Sequence, residues 1–548
     1  MISKGICQED KRAIILGAAI FILALCVRII YFFQLKSSPF FYYIGNKLDP
    51  QIYYEWALRI AQGDWFDKDI FIGMPLYAYF LGMIFLVFGK NIAAAIFFRL
   101  LLSSVNCLLV FLIAKKLFSI GVAVVAGIIA VLYLPFLFND AMLTSSVVVT
   151  TLNYLALGLL ILFEKKNLFS LLVAAGAVLG LATLARANTV LFLPCVILWL
   201  VFAFRTFSLA KRFLFAVTVS LSMLVVILPI TIRNYIVTGE KVLITSYGGI
   251  NFYIGNNPGA TGLFSLPKGV RSDSLGMIED FRKIAEGLTG KKMTLTEASH
   301  FWTRNTLGLI RLEPIKFIKL MFRKFFYFWN GFEIPDVMDY YFMKRYVGIL
   351  RWPLFSFVLI GPLSLLGLVL SFQRRNTLFL PYAFMISYMV SILLFFIHAR
   401  YRLAIVPSLI IFAAFGLDWI FNKLAKKDYR PLLRYVFLFV VFFIFVNAAP
   451  QKINYAICYN NLGLALLEQG HQEEAKTAFF KAIEINPNYS DATNNLGYIY
   501  LLQKEKEKAR QFFQRALRLS PGSPVYLENI KRVSGYSLTS QIGSSDRF

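Results

Sequence analysis

Residues 47–89 read KLDPQIYYEWALRIAQGDWFDKDIFIGMPLYAYFLGMIFLVFG. Whether the apolar end of this stretch, 73–89, crosses a bilayer decides the topology of the whole chain. Apolar runs long enough to span also lie near 13–33, 92–114, 119–138, 141–163, 168–185, 188–206, 211–232, 352–371, 377–397, 401–420 and 432–449. Cytoplasmic loops carry the excess of Lys and Arg. If 73–89 lies in the interface, then Lys115-Lys116, Lys165-Lys166, Arg205/Lys211/Arg212, Arg374-Arg375 and Lys423/Lys426/Lys427/Arg430 share one side with the N-terminus. If 73–89 spans, all of them move to the other side. The first arrangement is expected. It gives about eleven spans, a cytoplasmic N-terminus, outside loops 34–91 and 233–351, and an outside C-terminus.

Composition agrees with this class. Of 548 residues, 58% are hydrophobic, and the net charge of +26 sits largely in loops, where it sets topology and meets anionic lipid. No RNA- or DNA-binding motif is present, so nucleic acid is not expected as a partner. Five cysteines, three of them (Cys26, Cys107, Cys195) in apolar spans, do not form a disulfide framework. The histidines His300, His398 and His471 are too scattered for a metal-ligand motif. The first span follows Lys4, Lys11 and Arg12, is too long for a signal-peptide core, and reads as an uncleaved anchor.

After Pro450 the pattern changes. Leu462-Gly463, Ala475, Phe479, Ala482 and Pro487 return 34 residues later as Leu496-Gly497, Ala509, Phe513, Ala516 and Pro521. That period is the tetratricopeptide signature. The expected domains are a transmembrane unit 1–451 and a repeat unit 452–534, with repeats 456–489 and 490–523 and a capping helix at 524–533. A Ser/Gly-rich tail, 535–548, is expected to be disordered. Two repeats rarely bury enough surface alone, so the membrane unit is expected to cover one end. Such repeats bind proteins or serve assembly.

The unusual polar residues fall at helix ends or loops on the outside face. Asp49 precedes Pro50 at the start of an amphipathic helix 52–61, where it either caps the helix or accepts a proton from an attacking hydroxyl. Asp140 lies in a short outside turn between two spans. Arg186 ends a span in LATLARAN and needs a phosphate, carboxylate or carbonyl partner, unless it snorkels. Arg233 follows another span, and His398, Arg400 and Arg402 crowd the outer end of two more. Clustered guanidinium groups suit phosphate oxygens. The segment 317–329, FIKLMFRKFFYFW, is either a helix at a membrane surface or a buried helix of the long loop.

These pieces carry a resemblance. The opening loop with Asp49, Tyr53-Tyr54, Gly63-Asp64-Trp65 and Pro75-Leu76-Tyr77, then LATLARAN, the stretch RNYIVTGEKVLITSYGGINFYIGNNPGATG, FYFWNGFEIPD (326–336) and ARYRLAIVPSLIIFAAFGL (399–417) resemble family-39-type glycosyltransferases. These GT-C membrane enzymes include protein O-mannosyltransferases and lipid A aminoarabinose transferases. The resemblance covers roughly 10–450. Ala187 stands where Pro is common, and Asp49 is followed by Pro50 in place of the usual acidic pair.

The resemblance implies an all-α polytopic GT-C bundle with interfacial helices in the first outside loop. It implies transfer of a sugar from a polyprenyl-phosphate-linked donor to an acceptor hydroxyl on the outer face of a bacterial cytoplasmic membrane. Asp49 would be the base and Asp140 would orient donor or acceptor. Arg400 and Arg402, then Arg186, would hold the lipid phosphate. Arg233, Tyr235, Asn251, Asn256, Asn257 and His398 would line the donor or acceptor site. The acceptor is a protein or a glycan, a divalent metal is not implied, and the repeats would recruit a protein. A non-catalytic scaffold presenting the repeats and a lipid or solute transporter are the alternatives. Transporters place ionisable groups near the membrane midplane, unlike this edge-weighted pattern.

Overall fold

The computed structural model describes residues 2–45, 48–67, 71–267, 269–352, 355–448, 452–521 and 523–534. The expected disordered tail, 535–548, lies outside them. Among the described residues, regular structure is helical except for one isolated parallel β-bridge between Leu263 and Ile397. This is a multi-pass membrane protein. Among the described residues, seven helices are long and apolar enough to cross a bilayer: Asp10–Lys36, Ile92–Leu117, Ser146–Lys166, Leu209–Thr238, Phe357–Arg374, Val406–Ala425 and Tyr429–Asn447. The stretch expected to span at 119–138 is instead two helices, Ile120–Leu132 and Leu134–Ala141, bent by 51°. Counted as one span, the pair makes eight. Three other expected spans fall on the shorter apolar helices Phe169–Ala185, Ala187–Ala203 and Phe379–Leu393. The doubtful stretch 73–89 forms another, Pro75–Phe88.

Close packing follows from small residues. Gly176 and Gly180 lie one turn apart on Phe169–Ala185 and face Leu209–Thr238. A Cβ on Gly176 would come within 2.5 Å of the Val219 carbonyl oxygen, and one on Gly180 within 2.8 Å of that of Met223. Small residues let helix backbones approach this closely in membranes, and here glycine supplies the bare side of each contact. Basic residues gather at one end of the bundle. Lys115 pairs with Asp10 at 3.2 Å, Lys165 donates to the Lys116 carbonyl, and Arg374 lies 5.8 Å from the Phe415 ring, which itself stacks on Phe118.

The segment between Leu209–Thr238 and Phe357–Ser371 folds as a cap. Gly248–Asn256, Ser274–Thr289 and Leu295–Leu312 enclose a small core of Ile250, Ile254, Met277, Phe281, Ala298 and Trp302. Gly249 has no room for a side chain, since a Cβ there would sit 1.9 Å from the Ser299 carbonyl oxygen. Phe396 of the membrane unit completes this core and ties the cap to the 396–402 segment. The helix Pro314–Trp329 is not the buried helix that its composition also allowed. Leu312, just before it, and its Ile315, Ile318, Phe322 and Phe326 are all exposed, on one side of the helix at about 100° per residue. Phe326 reaches Phe445 at the end of Tyr429–Asn447, centroids 5.4 Å apart, whose own Phe437, Val441 and Ile444 are exposed. The apolar stripe is therefore continuous with a bilayer-facing surface.

The C-terminal helices Tyr455–Glu468, Gln472–Ile485, Ser490–Leu502 and Lys506–Leu519 form two hairpins, closed by Pro524–Val533. Gly463 sits under Phe479 and Gly497 under Phe513, with equivalent gaps of 2.5 and 2.7 Å from a built Cβ, which is why both repeats keep glycine there.

Gly176→Leu is expected to destabilise the bundle by about 1–3 kcal/mol through overpacking, read as a lower unfolding temperature in detergent. A fluorophore on a cysteine at Phe322 is expected to be quenched by lipid-borne quenchers, and one at Lys291, on the cap, is not.

Candidate functional site

Where the first loop meets the cap, a cleft of about 170 Å³ opens. Its walls include Asp49, Tyr53, Tyr247, Asn251, Phe264, Ser274, Asp336, His398 and Tyr401. Asp49 is the first residue of the helix Asp49–Ala61. The cap position belongs to Leu48 and no side-chain cap bond forms, so the capping role is not the one Asp49 plays. Its carboxylate instead accepts from the Ser274 hydroxyl at 3.1 Å and lies 3.5 Å from Arg400 Nη2, with about half its side-chain surface exposed to the cleft. Arg400 Nε sits 2.7 Å from Asp336 Oδ2 without pointing its N–H at that oxygen, so the pair is held by charge more than by a formed hydrogen bond. His398 Nε2 is 3.8 Å from the same carboxylate, and its Nδ1 lies 2.9 Å from the Pro335 carbonyl.

The electrostatics follow from this arrangement. Burial alone would raise the Asp336 carboxyl, but Arg400, His398 and Arg186 outweigh it and hold Asp336 below the usual carboxylate range. Burial would lower Arg400, yet Asp336, Tyr401 and Asp49 raise it. Burial lowers His398 more than Asp336 restores it, so the imidazole is neutral at pH 7. Asp336 keeps 23% of its side-chain surface accessible, so the cleft wall is wet rather than dry.

Arg186 breaks the chain between Phe169–Ala185 and the short helix Ala187–Phe192, with extended backbone at φ −162°. Its guanidinium stacks 4.1 Å from the Tyr401 ring, and Tyr401 lines the cleft. No carboxylate pairs with Arg186 among the described residues, unlike Arg400. Phe264 is brought to the rim by the Leu263–Ile397 bridge, 6.0 Å from the His398 ring.

The other expected site residues are placed elsewhere. Asp140 is not in an open turn. It ends the helix Leu134–Ala141, is 4% exposed, and accepts from the Ser103 hydroxyl at 2.5 Å, beside the buried Arg28 and Arg99. Arg402 is buried and lies 2.9 Å from Glu333, while donating to the Phe328 and Asn330 carbonyls. Arg233, Asn234 and Tyr235 belong to the last turns of Leu209–Thr238, not to a loop. Arg233 grips the first outside loop through the Phe66 and Asp67 carbonyls and stacks on Phe71. Tyr235 is exposed. Asn256 donates to the Leu394 carbonyl and accepts from the buried Lys324, and Asn257 caps the turn at Gly259. These last two border a separate groove, with Lys316, Lys319 and Arg323. Only Asn251 and His398 of the expected binding residues line the cleft itself, with Arg400 and Arg186 behind it.

Asp336, Ser274 and Tyr247 had not been singled out. Asp336 lay at the end of the quoted FYFWNGFEIPD, where an acidic residue after Pro reads as a turn. No group of three or more His, Cys, Asp or Glu able to hold a metal occurs among the described residues. Between Asp49 and Asp336 the position a cation would take is held by Arg400.

A cleft with opposed carboxylates and an arginine stacked at its wall thus sits at one end of the membrane helices. Residues 73–232 match the dolichyl-phosphate-mannose-protein mannosyltransferase family, and residues 460–524 match the tetratricopeptide repeat. Residues 73–232 are thus similar to part of that family, and the repeat match falls on the two C-terminal helical hairpins. No curated protein matches it. Among solved structures, the oligosaccharyltransferase of Archaeoglobus fulgidus tethered with an acceptor peptide is similar at 13% identity and TM-score 0.45, over 84% of this chain. This chain spans 58% of that protein's length. ArnT from Cupriavidus metallidurans is similar in the apo state at 13% identity and TM-score 0.45, over 95–96% of this chain and 77% of its own, and when bound to undecaprenyl phosphate at 14% and 0.43. The family match includes Asp140 and Arg186 and excludes Asp49, Asp336 and Arg400, whose roles rest on geometry.

A carboxylate held below its unfolded value stabilises the fold above that value and loses the contribution as pH falls through the folded one. The stabilisation from Asp336 is therefore complete above about pH 4 and fades below it. Unfolding temperatures of wild type and Asp336→Asn are expected to differ at pH 6 and to converge as the pH falls below about 4.

Proposed function

We propose that the protein transfers a sugar from a polyprenyl-phosphate-linked donor to an acceptor hydroxyl in the outer cleft, on the extracytoplasmic face of a bacterial cytoplasmic membrane. The observation that carries this reading is Asp49: a half-exposed carboxylate fixed by Arg400 and Ser274 at the wall of the cleft. Asp49 accepts the proton of the acceptor hydroxyl as its oxygen attacks the anomeric carbon. The bond from that carbon to the phosphate oxygen breaks, and polyprenyl phosphate leaves with the bonding electrons. Arg186 meets the charge that develops on the leaving phosphate, since its guanidinium is the one beside the cleft with no carboxylate partner among the described residues. Arg400 orients Asp49 rather than holding phosphate, and Arg402 supports Arg400 through the 333–336 segment.

The basic end of the bundle is the cytoplasmic one in this reading, and the repeats lie outside. The three short helices and the bent pair complete eleven crossings, the short ones reaching across where the protein, not lipid, surrounds their ends. The acceptor is a protein or a glycan, and the repeats offer a protein-binding surface beside the cleft.

In purified membranes supplied with a panel of undecaprenyl-phosphate sugars, the wild type is expected to release undecaprenyl phosphate from one of them. Asp49→Asn is expected to lower that release by about 10²–10⁴-fold, and Arg186→Ala by about 10²–10³-fold. Release that is unchanged in Asp49→Asn sinks the assignment of the base and favours a scaffold that presents the repeats.

A further inference from the structure

The tetratricopeptide unit is not merely tethered to the membrane unit. Cys458, Leu462, Ala465, Phe479, Leu496 and Ile499 belong to the same contiguous apolar core as the membrane helices, whereas Tyr500, Ala509 and Phe513 form a separate core at the far end. The joining element is the helix Tyr455–Glu468. It rests on the backs of the two segments that carry the cleft carboxylates.

On the Asp336 side, the Asn461 amide donates to the Val337 carbonyl at 3.4 Å, and Arg345 donates to the Tyr459 hydroxyl at 3.2 Å. Phe342 meets the Tyr459 ring edge-on, centroids 5.3 Å apart. On the Asp49 side, Gln469 donates to the Pro39 carbonyl, and Phe40 packs edge-on against Tyr346. Gly45, at φ +83°, lies so close to Val337 that a Cβ would come within 3.0 Å of its Cγ1. Val337 is the crossing point. It lines the cleft next to Asp336, bears on Gly45 of the first loop, and has its carbonyl held by a repeat residue.

The opposite face of the same segment is held by the arginine cluster. Glu333 faces Arg402, the Ile334 carbonyl accepts from Ala399 N, the Pro335 carbonyl faces His398, and Asp336 faces Arg400. Residues 333–337 are thus clamped between the membrane unit and the repeats. Each of these contacts is weak alone, the Asn461 bond especially. What they determine together is position, and a displacement of about 1 Å at a reacting group costs up to about 10²-fold in rate.

We propose that the tetratricopeptide unit is a positioning element of the cleft: Tyr459 and Asn461 hold the 333–346 segment where Asp336 engages Arg400, and Arg400 in turn orients Asp49. The catalytic half of this proposal rests on the function proposed above. Neither residue reaches the cleft: Asn461 acts through Val337, and Tyr459 through Phe342 and Arg345 of the same segment. The repeats then do more than recruit, because anything that shifts Tyr455–Glu468 shifts the carboxylate pair.

The test uses the full chain in lipid nanodiscs, as wild type, Tyr459→Ala, Tyr459→Phe, Asn461→Ala and, on the far hairpin, Lys508→Ala. Hydrogen–deuterium exchange is followed over 333–346, and undecaprenyl phosphate release is measured from undecaprenyl-phosphate sugars. Expected are faster exchange over 333–346 in Tyr459→Ala and Asn461→Ala, with kcat lower by up to about 10²-fold and donor KM unchanged. Tyr459→Phe, which keeps the ring, is expected to fall between them and wild type, and Lys508→Ala to match wild type. Unchanged exchange over 490–519 certifies that the repeats remain folded. Unaltered protection over 333–346 in Tyr459→Ala overturns the proposal, whether or not the wild type turns over. Faster exchange with wild-type turnover also overturns it. A wild type that releases no undecaprenyl phosphate from any sugar counts against the proposed function, and the exchange result then decides the positioning role by itself.

Discussion

One guanidinium organises the cleft of this protein. Arg400 stands between Asp49 from the first long loop and Asp336 from the end of the cap, 3.5 and 2.7 Å away. Without it, two carboxylates from distant parts of the chain would face each other across a narrow cleft and repel. With it, each loop has a charge to close upon. A lysine would supply the charge but not the planar fork, which allows one side chain to address two carboxylates from different nitrogens. Removing a buried arginine's partners is costly because the charge stays behind without solvent. Both loops are therefore held to the same point by the same penalty.

The surrounding architecture supports that point in layers. Arg402 and Glu333 lie beneath it, fully enclosed, and set the height of the 333–336 segment. Tyr401 stands beside it, stacked on Arg186, so the arginine assigned to the lipid phosphate and the one that orients the base share one aromatic wall. Arg233 pins the far end of the first loop. A second polar cluster, Asp140 with Ser103, Arg28 and Arg99, lies inside the bundle and connects to the cleft through Tyr77 and Tyr53, whose rings meet at 4.9 Å. Helices are interrupted at Tyr133 and Arg186, next to these clusters. Non-helical backbone is tolerated at membrane depth only where protein or a wet cavity satisfies it.

The residues show where sequence reasoning reached and where it stopped. Asp49, Arg186 and Arg400 were legible because each breaks an apolar pattern at a helix end, where a charge needs a reason. The same logic swept in Asp140, Arg402 and Arg233, which also break the pattern. It could not tell a charge at the cleft from one that meets another part of the fold. Asp140 is turned inward by the 51° bend that precedes it. Arg402 follows Arg400 by two residues, so on a tight helical turn the two point to different partners. Asp336 escaped notice because Pro-Asp in a polar loop is an ordinary turn, and nothing local marks its apposition to Arg400.

The sequence alone determined the membrane class and the 34-residue repeat. These are properties of length and periodicity, written locally and independent of what packs against what. The count of spans was less secure, since 15–17 apolar residues suffice for a helix without settling that it crosses. Tertiary structure alone decided which charges meet: Asp336 with Arg400, Arg402 with Glu333, and Arg186 with no carboxylate among the described residues. It also decided that the repeats share a core with the membrane unit. Pairing is a long-range event, set by how whole helices and loops close on one another, and no window of sequence contains both partners.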